Sequence, residues 1–170
     1  MHRPAKLAHN VYNTNRLEEM RDWYALVLGA WVAYENPMIC FMTFDDEHHR
    51  IALARMGQYQ EPDPDAWGLN HTAYTYAEVG HLLENYLRLG EHDIHPWWTI
   101  HHGPTLSFYY RDPDGNAVEL QVDAKTPAEI DEFVRSETFA ANPIGIDVDP
   151  DDLVARWKAG ATDEELLAYG

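Results

Sequence analysis

Between residues 100 and 119 the chain reads IHHGPTLSFYYRDPDGNAVE, which brings histidine, tyrosine, aspartate and glutamate into one short stretch. Residues 106–110 and 116–122 have the composition of strands. Asp112-Pro113-Asp114-Gly115 between them suits a type I turn, with proline at its second position and glycine at its fourth. Along the second strand Ala117, Glu119 and Gln121 share one face, and Val118, Leu120 and Val122 share the other. Glu119 therefore lies on a face where a carboxylate is tolerated only with a proton, a cation or a metal beside it. The chain has ten histidines, and they cluster. His9 opens the tetrapeptide HNVY, His71 opens HTAY, and His48 and His49 are adjacent. Any one of them alone is explained as a hydrogen-bonded core residue, whereas matched histidines with a carboxylate suit metal binding.

The elements that position these residues form a repeat. Residues 9–13 read as a strand with His9, Val11 and Asn13 on one face. Asn15 with Glu18 three residues on is expected to form a capping box. Leu17, Met20, Tyr24 and Leu28 recur at helical spacing until Gly29 stops the helix. Residues 31–34, 39–44 and 50–54 read as three further strands, completing a βαβββ unit. HNVY at 9–12 then returns as HTAY at 71–74, YALVLG at 24–29 as YLRLG at 86–90, and DDEHHRIALA at 45–54 lies over DPDGNAVELQ at 112–121. Val79, Leu82, Leu83 and Tyr86 supply the second helix with its apolar stripe.

The organisation expected is a first βαβββ module at 1–56, an acidic proline-rich linker at 57–68 and a second module at 69–124. A helical tail at 125–170 is expected to pack on the same domain. Period-matched copies of one supersecondary unit imply that each buries what the other cannot. In the tail, Thr126 with Pro127 and Glu129 starts a helix expected to run to about Ser136, and 151–158 and 162–168 read as short acidic helices, the last with Thr162 and Glu165 as a capping box.

Composition excludes some partners. Twelve basic against 29 acidic residues give a formal net charge of -17, which repels phosphate backbones and anionic lipid, so neither nucleic acid nor membrane is expected. The first residues, MHRPAKLAHNVY, lack the apolar core of a leader, and the longest uncharged apolar run, 24–34, is too short to span a bilayer. Cys40 is the single cysteine, so no intrachain disulfide forms and a reducing cytoplasm is the expected compartment.

The stretch from His102 through Phe108, Tyr109, Asp112, Pro113 and Gly115 to Glu119 resembles the signature of the type I extradiol ring-cleavage dioxygenases of the vicinal oxygen chelate superfamily. The resemblance spans about residues 5 to 123. It implies an α+β fold in which two βαβββ modules form an open, cup-shaped sheet around a metal site, with His9 and His71 at equivalent positions and Glu119 facing the same interior. Those three form a 2-His-1-carboxylate set suited to Fe(II), with Mn(II) also accommodated. The position matching Glu119 in the first module is Ala52, where glyoxalase-like relatives carry a fourth ligand, so an oxygenase is favoured over an isomerase.

By the same resemblance His49 is the acid–base histidine, with His48 as its competitor, although strand parity alone would put His49 on the face opposite Ala52. Tyr109 would hydrogen-bond a substrate oxygen and His102 would contact substrate or its surroundings, with His101 as the competitor of His102. Asp112 is explained by the turn, Tyr110 as core, and Trp97 and Trp98 either as core or as the rim of an aromatic pocket. The function implied is cleavage of a catechol-type ring by dioxygen, on a small aromatic diol, in a chain able to form a homo-oligomer. Metal-dependent isomerase or lyase chemistry and metal-free small-molecule binding of the drug-resistance kind are the alternatives. Most ring cleavers of this type carry four modules, whereas this chain has two, which leaves the pocket walls and ring size open.

Overall fold

The computed structural model describes residues 2–60 and 67–170. The EPDPD core of the expected linker, at 61–65, lies outside the described residues. The chain divides into two compact units: Met1–Gly68 with Asp112–Asn116, and Leu69–Arg111 with Ala117–Gly170.

In the first unit the order is β1 (Asn10–Asn13), α1 (Leu17–Leu28), β2 (Trp31–Glu35), β3 (Ile39–Thr43) and β4 (Ile51–Ala54). The sheet order is β1-β4-β3-β2, with β1 parallel to β4 and the other pairs antiparallel. His9 lies just before β1 rather than within it. Tyr12, Cys40, Met42, Ile51 and Leu53 are buried, as are Leu17, Met20, Tyr24 and Val27 along one stripe of α1, and the rings of Tyr12 and Tyr24 lie 5.6 Å apart. Gly29 ends α1 in the left-handed region, φ 65, as its position predicts.

The expected capping box at Asn15 does not form. Arg16 occupies the N-cap position without a side-chain cap, so the helix starts one residue late for that pairing. The Asn15 amide instead bonds the backbone of Tyr59 at 2.7 and 3.1 Å, and the Glu18 carboxylate binds the Arg55 guanidinium at 2.8 and 3.0 Å. Both side chains of the expected box are thus engaged by partners distant in sequence.

The second unit repeats the plan: β5 (His71–Tyr76), α2 (Val79–Gly90), β6 (Trp98–His101), β7 (Thr105–Arg111) and β8 (Ala117–Asp123). Its sheet runs β5-β8-β7-β6-β9, with β5 parallel to β8. Val118, Leu120 and Val122 are buried on one face of β8, and Phe108 opposite Leu120 meets Tyr86 of α2 at 5.7 Å between rings. On α2 the fully buried apolar residues are Val79, Leu82, Leu83 and Leu89, each contributing about 1.5–3 kcal/mol by burial. Tyr86 is only half-buried.

The tail comprises α3 (Pro127–Phe133), α4 (Glu137–Ala141), β9 (Ile146–Asp147), α5 (Pro150–Lys158) and α6 (Asp163–Leu166). Both capping boxes expected in the tail, Thr126 with Glu129 and Thr162 with Glu165, are present. The first tail helix stops at Phe133, and Ser136 caps a separate helix, α4, that periodicity did not separate. The two-residue β9 was not expected either; it pairs antiparallel with β6, Ile100 to Asp147 and His101 to Ile146. Among the described residues no helix is long and apolar enough to cross a membrane.

The turn after β7 forms as expected, with the Gly115 N–H donating to the Asp112 carbonyl at 2.9 Å. Asp112 itself is buried and its carboxylate accepts four bonds. Oδ1 takes the N–H groups of Asp114 (3.0 Å) and Asn116 (2.9 Å); Oδ2 takes the Asn116 amide (2.8 Å) and the Tyr24 hydroxyl (3.1 Å). Burial raises its pKa against the opposing pull of these donors. Because every partner donates, an amide in its place would turn an N–H toward a donor. Asp112→Asn is expected to lower stability by about 1–3 kcal/mol, read as a lower urea midpoint with an unchanged slope.

Candidate active site

In the second unit, β8 and its neighbours bring four of the expected residues together: His71, His102, Tyr109 and Glu119. Glu119 pairs with Ala73 on β5 and Tyr109 on β7, and Tyr109 pairs with Trp98 on β6, so these side chains share one face. His71, two residues before Ala73, points to the same face. Its Nε2 lies 2.9 Å from a Glu119 oxygen, and its ring meets that of Tyr109 edge-on at 5.4 Å. Glu119 is only 4% exposed. The Tyr109 hydroxyl lies 3.0 Å from His102 Nε2, and Tyr109 is the cross-strand partner of Glu119. Burial first, and the Glu119 carboxylate second, push the Tyr109 pKa well above that of an ordinary phenol, so it stays protonated at neutral pH.

Trp98 stacks on Tyr109 at 4.9 Å, and Trp97 stacks on Trp98 at 5.9 Å. Trp97 is 52% exposed, with the Arg111 guanidinium 4.9 Å above its ring. These tryptophans therefore extend the Glu119 face and do not fill the core. Tyr110 points the other way and is buried, as alternation predicts.

The first unit carries the matching register without the carboxylate. Ala52 pairs with Val11 on β1 and Phe41 on β3, as Glu119 pairs with Ala73 and Tyr109. The strand repeat is thus one of backbone register, with a methyl group where the second unit has an acid. His9 and His49 meet here at 4.4 Å between rings, and His49 stacks flat on Phe41 at 4.5 Å. Strand parity does not govern His49, because residues 45–50 form an irregular turn ahead of β4. That turn lays its ring on Phe41, on the Ala52 face. His48 Nδ1 approaches His49 Nδ1 at 2.7 Å, but His48 is exposed and His49 half-buried. Desolvation first, then the nearby His9 and His48, lower the His49 pKa, leaving the ring neutral and able to take a proton.

Two adjacent histidines take opposite directions at the end of β6. His101 is buried, its pKa lowered chiefly by that burial; its Nε2–H donates to the Leu167 carbonyl at 3.0 Å and its Nδ1 accepts the Gly103 N–H at 3.0 Å. His102 instead reaches Tyr109, as its place in the motif implies, and its Nδ1 meets the Ile144 carbonyl. That carbonyl was not anticipated, and no sequence pattern marks it, since a backbone oxygen is common to every residue type.

Among the described residues no group of three or more His, Cys, Asp or Glu side chains is gathered closely enough to hold a metal ion. His71 and Glu119 do meet in the second unit, while His9 belongs to the first. The pair fits a divalent ion: 2.9 Å is close to the separation of two ligands at right angles about one ion with bonds of about 2.1 Å. A buried carboxylate with an imidazole nitrogen beside it is the donor set such an ion uses.

The Glyoxalase/Bleomycin resistance protein/Dioxygenase superfamily matches residues 6–120. Two curated proteins of Rhodococcus globerulus are similar to this chain along most of its length. Biphenyl-2,3-diol 1,2-dioxygenase 3 is 46% identical over 164 residues, 95% of this chain and 86% of that protein. Biphenyl-2,3-diol 1,2-dioxygenase 2 is 48% identical over 166 residues, 96% of this chain and 87% of its own length. The large share of each relative that is covered means that these are also short chains. Among solved structures, lactoylglutathione lyase from Agrobacterium tumefaciens aligns with a TM-score of 0.57 at 19% identity, over 70% of this chain and 94% of its own. A glyoxalase/bleomycin resistance protein/dioxygenase domain from Frankia sp. EAN1pec aligns with a TM-score of 0.58 at 15% identity, over 71% and 93%. At such identities these two structures bear on the fold alone.

Proposed function

Since the chain belongs to the Glyoxalase/Bleomycin resistance protein/Dioxygenase superfamily, we propose that it is an extradiol dioxygenase opening the diol-bearing ring of a biphenyl-2,3-diol-type catechol. The observation that carries this reading is the likeness to two proteins so named, over nearly the whole chain. Their name places the cut between ring carbons 1 and 2, beside the hydroxyl-bearing pair. Carbon 1, which carries the second ring, becomes an aryl ketone, and carbon 2 becomes a carboxylate. Both atoms of dioxygen end in the product, so no external reductant is consumed.

His9, His71 and Glu119 would hold Fe(II), with Mn(II) as the other ion compatible with these donors. When bound, the ion supplies a Lewis-acidic, redox-active point where diol and dioxygen are brought together. With Glu119 as the one carboxylate of the set, a bound divalent ion would keep a net positive charge, which would favour an ionised diol. His49, neutral for the reasons given above, accepts a proton as the diol is taken up and returns it as the ring opens. Tyr109 hydrogen-bonds a diol oxygen, and His102 orients Tyr109. Trp98 and Trp97 offer flat aromatic surface on the Glu119 side, where a ring of the substrate is held by stacking.

The test is anaerobic loading with Fe(II), addition of biphenyl-2,3-diol or unsubstituted catechol, and admission of air. We expect one dioxygen consumed per diol and a yellow product, faster with the biphenyl diol. Metal uptake without oxygen consumption would point instead to isomerase or lyase chemistry, and diol binding without metal to a sequestration role.

A further inference from the structure

We infer that the tail segment 142–147 locks His102 as its Nδ1–H tautomer and thereby decides which way the Tyr109 proton points. A carbonyl oxygen only accepts, so the contact of His102 Nδ1 with the Ile144 carbonyl requires the proton on Nδ1. In the neutral ring Nε2 is then a bare acceptor, and it faces the Tyr109 hydroxyl at 3.0 Å. Tyr109 has one proton and two acceptors beside it, its cross-strand partner Glu119 and His102 Nε2. A lone pair on Nε2 facing a lone pair on the phenol oxygen is repulsive, so the tautomer draws the Tyr109 proton to His102 and away from Glu119. The phenol oxygen then offers its own lone pairs to the diol. Toward substrate Tyr109 is an acceptor, and a diol O–H has a path through Tyr109 to His102. The opposite tautomer would reverse this polarity.

The segment is built to hold that carbonyl in place. The Gly145 N–H donates to Asn142 Oδ1 at 3.1 Å, and the Asn142 amide donates back to the Gly145 carbonyl. Gly145 has φ 120, and a Cβ there would run into the His101 carbonyl oxygen and lie 2.8 Å from His102 Cα. Only glycine allows the tail to approach β6 so closely. On its far side β9 is tied to β6 through the pairing of Ile146 with His101. Residues 142–147 lie beyond the stretch matched by the superfamily, which ends at 120. His101 provides an internal reference, since its two partners demand the opposite tautomer, Nε2–H.

For its catalytic consequence the inference rests on the proposed ring opening, but the tautomer itself is measurable without metal or substrate. The experiment is nitrogen-15 NMR of the histidine rings in the full-length protein, for wild type, Asn142→Ala and Gly145→Ala, with kcat, KM and metal content measured in parallel. In wild type we expect the Nδ1–H form for His102 and the Nε2–H form for His101. In Asn142→Ala, His102 should become a mixture of tautomers while His101 is unchanged, and kcat should fall about tenfold with metal content and KM retained. Should Gly145→Ala fail to fold, the wild-type tautomer and the milder Asn142→Ala still decide. An Nε2–H form of His102 in wild type, or an Asn142→Ala protein unchanged in both tautomer and kcat, overturns the inference. The expected tautomers in a metal-loaded protein that opens no diol would support the lock and overturn the proposed activity.

Discussion

Glu119→Gln is expected to lose both bound iron and ring opening, with activity falling more than about 100-fold, beyond the loss typical of an outer partner of a metal site. The substitution is nearly isosteric, so the packing of β8 survives, but it removes the negative charge that a divalent ion needs and turns an N–H toward the His71 ring, 2.9 Å away. Metal content after dialysis, measured beside circular dichroism, separates this from unfolding. His9→Ala belongs to the same experiment. His71 and Glu119 lie within one unit, whereas His9 enters the proposed ligand set through the repeat and the family resemblance. If His9→Ala retains stoichiometric iron and full activity, the third ligand is some other group, and the proposal stands only for His71 and Glu119.

His49→Gln should keep its iron and lose about 100- to 10,000-fold in kcat, the range supplied by a positioned acid–base group. Glutamine preserves much of the volume stacked on Phe41 but cannot carry a proton at neutral pH. His48→Gln is the control. His48 is exposed and lies one residue away, so a full loss there with none at His49 would exchange their roles. A fully active His49→Gln enzyme would remove the proton-transfer assignment.

Much of the site was legible because its information is local. Alternation along β8 places Glu119 and Val118 on opposite faces whatever packs against them, and Asp112-Pro113-Asp114-Gly115 closes its turn from its own dihedral preferences. The repeat was legible for the same reason. Its register reappears residue by residue in the pairing of Ala52 with Val11 and of Glu119 with Ala73. The cap expected at Asn15 does not form, because Asn15 and Glu18 meet Tyr59 and Arg55, which arrive from 44 and 37 residues away. The tail strand β9 has only two residues, too few to carry a period.

By itself, the sequence determined the βαβββ repeat, the face of Glu119, the match of His9 with His71 and the absence of an acid at Ala52, because each depends on spacing within one element or on comparing two copies of it. Only the tertiary structure decided that His102 and not His101 turns toward Tyr109, that the His49 ring lies on Phe41 despite strand parity, and that Ile144 returns from 42 residues away to hold the His102 ring. Those outcomes depend on which backbone groups arrive beside a side chain once distant segments have packed, and carbonyls and amides are the same in every residue.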